Sequence, residues 1–386
     1  MPGPLEGVRV LDLTHVLNGP FCTMLLAHMG AEVLKVEFGE GDRYRHSWMP
    51  PDAGRDGYEF LMVNSNKKAI TLNLKHEKGK DLFRRLVEKS DVVAENFSAG
   101  VMDRLGFGYE ELRKINPRVI YASSRGYGDD GPYKHVRANA STIMAVSGWQ
   151  AAAQELSGKP GMKALGIGDE AAGISLALGI CAALYRREQT GVGQKIDVSM
   201  QEALMGFMVS TFHAHFEGRR VGQPPKECAD GHYAFHLPDM SDDLWERFVE
   251  AIGQPELATD ERFATQRARR RNYPALEEIV DAWVKTETRA ELWNILSSFG
   301  LSSGPVLSVG EAMEDPHIIE RNAFVELEHP EAGKVKLLAP WVRFSESVSS
   351  LDRAAPLVGQ DNFEVYEQLL GLTREETEAL ISEGAI

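Results

Sequence analysis

The stretch RVLDLTHVLNGPFCTMLLAHMGAEVLKVE, residues 9–37, decides the fold. Residues 9–13 (RVLDL) and 32–37 (EVLKVE) are short runs rich in Val and Leu, as strands are, while residues 19–29 between them carry the longer apolar pattern of a helix. A strand that reaches the next through a helix pairs with it in parallel, because a tight turn can only reverse the chain. The alternation continues with a helix at 79–89 and strands at 92–95 and 119–123. This pattern predicts an α/β fold with a mostly parallel, Rossmann-like sheet covered by helices on both faces. Ligands of such open sheets gather beyond the carboxyl ends of the strands. The loops 15–20, 38–43, 96–98 and 126–133 are therefore where a site is expected.

Farther along, residues 170–187 are apolar or small at nearly every position and end in Tyr185-Arg186-Arg187, a cationic last turn that suits the helix dipole. A buried helix is expected there, then a strand at 195–198 and a second long apolar helix from about 200 to 215. The polar, Pro-containing segment 217–230 reads as a linker. Beyond it come a strand at 232–236 and helices at 242–252, 274–285 and 289–299. The expected organisation is a large α/β domain whose N-terminal part is 1–215, a smaller α+β domain at 225–325, and a part at 326–386 that returns to the large domain.

Asp and Glu outnumber Lys and Arg by 57 to 42 in the 386 residues, a formal charge of −15, which argues against a broad nucleic-acid surface but leaves room for a local basic pocket. The three cysteines, Cys22, Cys181 and Cys228, are far apart and form no CxxC pair, which points to reduced thiols and to no metal site. His213, His215, His232 and His236 lack the supporting carboxylates or cysteines that a metal site would need. The N-terminus lacks a signal pattern and no apolar run approaches the ~18 residues of a membrane span. A cytoplasmic protein with no membrane partner is the expectation.

The stretch ALGIGDEAAG, residues 164–173, sets an acid after two glycines and before the long apolar run. Two readings of Asp169 stand open. It caps the helix by accepting hydrogen bonds from the first free amides, or it is an ionised nucleophile beside a helix dipole, with Gly166 and Gly168 leaving room for a large substrate. Lys67, Lys68, Lys75, Arg104 and Arg137 lie near predicted strand ends and together would suit a ligand with more than one phosphate. Two patterns carry less. The GxGxxG at 126–131 is followed by Pro132 and Tyr133 rather than by a helix, and the GxSxG at 300–304 follows a helix where the nucleophile elbow needs a strand.

Taken together, residues 9–37, 64–75 (NSNKKAITLNLK), 95–121, 126–133 (GYGDDGPY), 166–203 and 303–318 resemble the class III coenzyme A transferases, the CaiB/BaiF family that includes formyl-CoA transferase, carnitine CoA-transferases and the α-methylacyl-CoA racemases. The resemblance implies a CoA-transferase with Asp169 as catalytic nucleophile, acyl-CoA and a carboxylic acid as substrates, no tightly bound cofactor, and an interlocked homodimer. It also implies that coenzyme A is held by Val16, Leu17 and Asn18, by Leu72, Asn73, Leu74 and Lys75, by Asn96, Phe97 and Ser98, by Arg104, and by Val136, Arg137, Ala138 and Asn139. The chain departs from the formyl-CoA transferases at Phe38, where they carry arginine, at Asn139, where they carry tyrosine, and in lacking a glycine-rich loop within 219–230. Formate and oxalate are thus not the expected substrates. The racemases place a histidine base near 139; Asn139 cannot titrate and His135 is four residues away, so transfer is favoured over racemisation. Residues 232–240 are expected to shape the choice of acceptor.

Overall fold

The structure is a computed structural model that describes residues 1–47, 54–157, 166–218, 224–235, 237 and 240–386, with residues 155–157 described by backbone alone. Six strands form one sheet: β1 (Arg9–Asp12), β2 (Glu32–Glu37), β3 (Lys68–Thr71), β4 (Val92–Glu95), β5 (Ile120–Arg125) and β6 (Lys195–Ser199). Their order is β3-β2-β1-β4-β5-β6 and every neighbouring pair is parallel. The order reverses at β1, which pairs with β2 on one side and β4 on the other. Connections leaving β1 and β4 depart to opposite faces of a sheet of this order, and the gap between them is where it receives a ligand.

Both faces are covered, and residue alternation explains how. Leu11, Leu34, Val93 and Tyr121 pack on one side with Leu82, Phe83 and Leu86. Val10, Val33, Val92 and Ile120 pack on the other with Leu26, Leu176 and Ile180. The helices concerned include α1 (Asn18–His28), α3 (Glu77–Glu88), α4 (Val101–Leu105), α5 (Tyr109–Ile115) and α8 (Ile167–Thr190), while α2 (Tyr58–Val63), α6 (Ala140–Val146) and α7 (Trp149–Ser157) are the other α-helices of this part of the chain. Helix α1 lies directly on α8, because a Cβ at Gly173 would stand only 2.7 Å from the Asn18 carbonyl oxygen.

Three expectations are corrected. Strand β3 was not expected from the sequence, because its four residues, KAIT, hold only two apolar side chains after a pair of lysines. The apolar helix at 200–215 is two helices, Met200–Gly206 and Val209–Phe216, parted after Gly206, a residue that weakens a helix interior by ~1 kcal/mol relative to alanine. Helix α8 is, by length and composition, long and apolar enough to cross a membrane, contrary to the expectation that no run is. Half of that stretch is buried in the protein, as in a core helix.

The chain divides into two compact units. The larger holds Met1–Ala153, Pro160–His213 and Glu320–Ile386. It includes a hairpin of Phe324–His329 and Gly333–Leu338 whose Val335 and Leu337 pack with Tyr44, Phe60 and Leu61. The smaller holds Gln154–Lys159 and Ala214–Ile319, with the antiparallel strands Lys226–Cys228, Gly231–Phe235 and Ser303–Pro305 over a core that includes Tyr233, Trp245, Phe248 and Phe263. His236, which sequence placed in a strand, lies outside the described residues, as do Pro238 and Asp239 of the expected acceptor segment.

Candidate active site

The loop after β1 is tied down by two buried or half-buried side chains, Asn96 and Asp42. The Asn96 side chain, from the loop after β4, accepts from the His15 amide at 2.8 Å and donates to the His15 carbonyl at 2.7 Å and to Asn18 Oδ1 at 2.8 Å. It bridges the two loops that flank the reversal of strand order. The Val16 amide donates to the Asp42 carboxylate at 3.1 Å, and Val16 sits at φ 68°, a left-handed conformation that a β-branched residue adopts only when its surroundings impose it. Asp42 is fully buried, with Lys35 Nζ at 3.1 Å. Burial alone would raise its pKa, but hydrogen bonding from His15 and the charge of Lys35 outweigh it and hold Asp42 well below the ordinary carboxylate range.

Beneath this loop, Lys67 Nζ meets Asp12 at 2.9 Å with both side chains fully buried. Burial depresses the Lys67 pKa to about 8 even with Asp12 beside it. Lys68 is engaged by Glu32 and Glu364. The expectation that these lysines converge on a ligand is therefore corrected: one is a counter-ion inside the core, and the other belongs to a surface ion-pair cluster.

Asp169 is the third residue of α8, not its cap. Gly166, at φ 85°, occupies the cap position, and no side chain caps this end. The cap reading is thus corrected. Among the described residues no group donates to the Asp169 carboxylate, and burial, with the neighbouring Glu170 charge adding to it, pushes its pKa up to about 7. The sequence suggested a carboxylate kept ionised by the helix dipole; desolvation outweighs the dipole here. The Tyr44 phenol is held protonated by burial first, then by Glu59, with a smaller contribution from Asp169.

Asp169 lines a cavity of about 490 Å³. Val16, Leu17 and Asn18 line it from the loop after β1, and Asn96, Phe97 and Ser98 from the loop after β4. Ala138 and Asn139 complete that wall, with Asn139 accepting from the Thr142 amide as the N-cap of α6. A second cavity of about 450 Å³ shares Arg43, Asn96, Phe97, Ser98 and Arg125 with the first and is lined in addition by Lys134, His135, Val136 and Arg137. The two make one trough inside the larger unit, acidic at the Asp169 end and basic at the other. Arg125 is neutralised by Glu95 at 2.5 Å and by Asp129. Among the described residues Arg43, Lys134 and Arg137 take part in no ion pair, so their charge is available to an anion.

The remaining candidates lie elsewhere. Leu72 is buried and Leu74 half-buried in the core. The Asn73 amide side chain donates to the Gly384 carbonyl at 3.0 Å. Lys75 and Arg104 are exposed, and none of these five lines either cavity. Sequence reasoning missed His15, Arg43, Arg125 and Lys134. The first two lie in the loops 15–20 and 38–43 that the sequence marked for a site, although it assigned neither residue a role. Arg125, the last residue of β5, and Lys134, in the loop that follows, were recognisable only from the cavities they line.

A family model described as CoA-transferase family III matches residues 5–362. Among similar proteins, formyl-CoA:oxalate CoA-transferase of Streptomyces coelicolor is 36% identical over 99% of each chain. Succinyl-CoA–D-citramalate CoA-transferase of Chloroflexus aurantiacus is 35% identical over 97% of this chain and 96% of its own. Among solved structures, a CAIB/BAIF family protein from Brucella suis superposes with a TM-score of 0.82 at 30% identity, over 96% of this chain and 100% of that one. With the same fold over nearly its whole length and an acid-to-base trough at the strand-order reversal, this chain belongs to CoA-transferase family III and is a class III CoA-transferase.

Proposed function

We propose that the protein moves coenzyme A from an acyl-CoA donor to a carboxylic acid acceptor through covalent intermediates on Asp169. The observation that carries this is a single one: a carboxylate with no hydrogen-bond partner among the described residues stands at one end of a trough whose other end is cationic. Arg43, Lys134 and Arg137 suit the phosphates of coenzyme A. The apolar and amide-bearing middle, Leu17, Phe97 and Asn18, suits its pantetheine arm.

Ionised Asp169 attacks the thioester carbonyl; the carbon–sulfur bond breaks, giving a mixed anhydride and CoA thiolate. The thiolate attacks the aspartyl carbonyl, releases the donor acid as its carboxylate and leaves an aspartyl-CoA thioester. The acceptor carboxylate attacks that thioester to form a second anhydride, and the thiolate attacks its acyl carbonyl to give the new acyl-CoA and regenerate Asp169. The activated bond survives only if water is kept from it, which a half-buried Asp169 favours. A carboxylate whose pKa stands near 7 is also a stronger base, and a better nucleophile, than an exposed one.

Relatives whose names specify oxalate and D-citramalate as acceptors make a small dicarboxylic acid the first class to test. Phe38 and Asn139 remain reasons to look beyond oxalate. Homodimerisation is supported by the apolar residues that α8 leaves outside, with Leu178 and Tyr185 each 71% exposed.

Incubation with succinyl-CoA, acetyl-CoA or formyl-CoA is expected to give a protein heavier by CoA less one water, labelled at Asp169 and cleaved by hydroxylamine. A panel of free acids then identifies the acceptor. An unmodified Asp169 with all three donors overturns the proposal.

A further inference from the structure

Each step that forms or opens a bond to sulfur in this cycle either releases or consumes a CoA thiolate. A thiol of pKa ~8.5 is a costly anion in a cavity whose reacting carboxylate is half-buried, so the leaving sulfur needs a proton donor. Among the described residues, three basic side chains with N–H groups line the cavity around Asp169: His15, Arg43 and Arg125. An arginine does not give up its proton; Arg125 is already paired with Glu95, and both arginines also line the phosphate end. His15 lines the Asp169 cavity alone.

Its imidazole is held in place. The backbone of residue 15 is clamped on both sides by Asn96, the ring lies 5.4 Å from that of Phe97, and Nδ1 stands 3.7 Å from Asp42 Oδ1. Asp42 does not belong to His15 alone, since Lys35 engages Oδ2 at 3.1 Å. The charged groups near the ring are therefore Asp42, with Lys35 behind it, and Arg43, Arg125 and Asp169, which line the same cavity. The Asp42 carboxylate stands close enough to act on the imidazole by its charge, and the residue itself lines the cavity that holds Asp169.

We propose that His15 is a catalytic residue of this transferase, the general acid that protonates the departing CoA sulfur and the base that takes the proton back when sulfur attacks again. The proposal rests on the Asp169 reading. The balance is closed: Asp169 carboxylate, acyl-CoA and imidazolium give the aspartyl anhydride, CoA thiol and neutral imidazole. On re-attack the S–H proton returns to the ring as the carbon–sulfur bond forms.

The test is the single-turnover rate of aspartyl-CoA formation across pH, followed by intact mass, for the wild type and His15→Gln. The wild-type rate is expected to rise and then fall with pH as the imidazolium is lost. His15→Gln is expected to be slower by about a hundredfold at its worst and to lack the falling limb, with acyl-CoA affinity unchanged by calorimetry. His15→Asn serves in its place should the first variant misfold. A variant as fast as wild type, or one slowed equally at every pH with the falling limb kept, overturns the role of His15. A wild type that forms no adduct at any pH overturns instead the Asp169 reading on which it rests.

Discussion

The Val16 amide donates to both oxygens of the buried Asp42 carboxylate, at 3.1 and 3.3 Å, while Val16 holds φ 68°. A β-branched residue in that region stores roughly 1–3 kcal/mol of backbone strain, and the hydrogen bonds keep it there. Val16→Gly relieves the strain but gives up partial burial of a valine side chain, worth on the order of 1–2 kcal/mol. The two effects are expected to cancel to within about 1 kcal/mol in urea unfolding, whereas KM for acyl-CoA rises because the loop is no longer fixed. A loss of stability above about 3 kcal/mol would show that the loop stores no strain.

Asp169 links stability to activity. Its pKa stands at about 7 in the folded protein against an ordinary 3.8, so the folded state binds this proton more tightly than the unfolded chain does. The resulting stabilisation is complete below pH ~4 and is lost as pH rises through ~7. Asp169→Asn carries no such charge. At pH 8 it is expected to be more stable than wild type by roughly 1–3 kcal/mol, discounted for partial solvent access, with no gain at pH 4 and no transfer activity at either pH. Urea melts at the two pH values check this; a difference independent of pH refutes it.

The ionised fraction of Asp169 also sets where the rate of adduct formation climbs. That climb is expected to centre near pH 7. Glu170→Gln removes the second of the two causes that raise the Asp169 pKa, so the climb moves to lower pH while burial keeps it above the ordinary Asp range. An unmoved profile in this variant means that Glu170 does not act on Asp169.

Lys67 and Lys68 are neighbours in sequence with opposite fates. Lys67→Met leaves Asp12 charged and buried with only hydroxyl and amide donors, and is expected to cost about 3–5 kcal/mol. Lys68→Met removes two partly exposed ion pairs and is expected to cost no more than about 1 kcal/mol. Equal losses in thermal or urea melts would contradict the assignment of Lys67 to the core.

The basic end of the trough is read out in KM. Arg43→Ala, Lys134→Ala and Arg137→Ala are each expected to raise KM for acyl-CoA by roughly three- to tenfold, with kcat nearly held and the effect shrinking at high salt. Lys75→Ala and Arg104→Ala, whose side chains lie outside both cavities, are expected to change KM less. The reverse ranking would place the phosphates elsewhere.

Local patterns carried much of this protein. Val and Leu runs separated by a helical period in residues 9–37 announce parallel strands, because a strand's chemistry and the length of its connection are properties of contiguous residues. The sequence also singled out Asp169, from its glycines and the apolar run behind it. What contiguous residues do not encode is which strands become neighbours, and so the reversal of order at β1 and β4 that opens the trough came only with the tertiary structure. The same holds for charge. Lys67, Lys68, Arg43 and Arg137 look alike in the sequence, yet distant partners neutralise the first two and leave the last two beside the cavity, since an ion pair depends on position in space. Whether Asp169 is a cap or an unpartnered carboxylate was likewise decided by packing, through the placement of Gly166 at the head of α8 and the burial that lifts the pKa of its third residue.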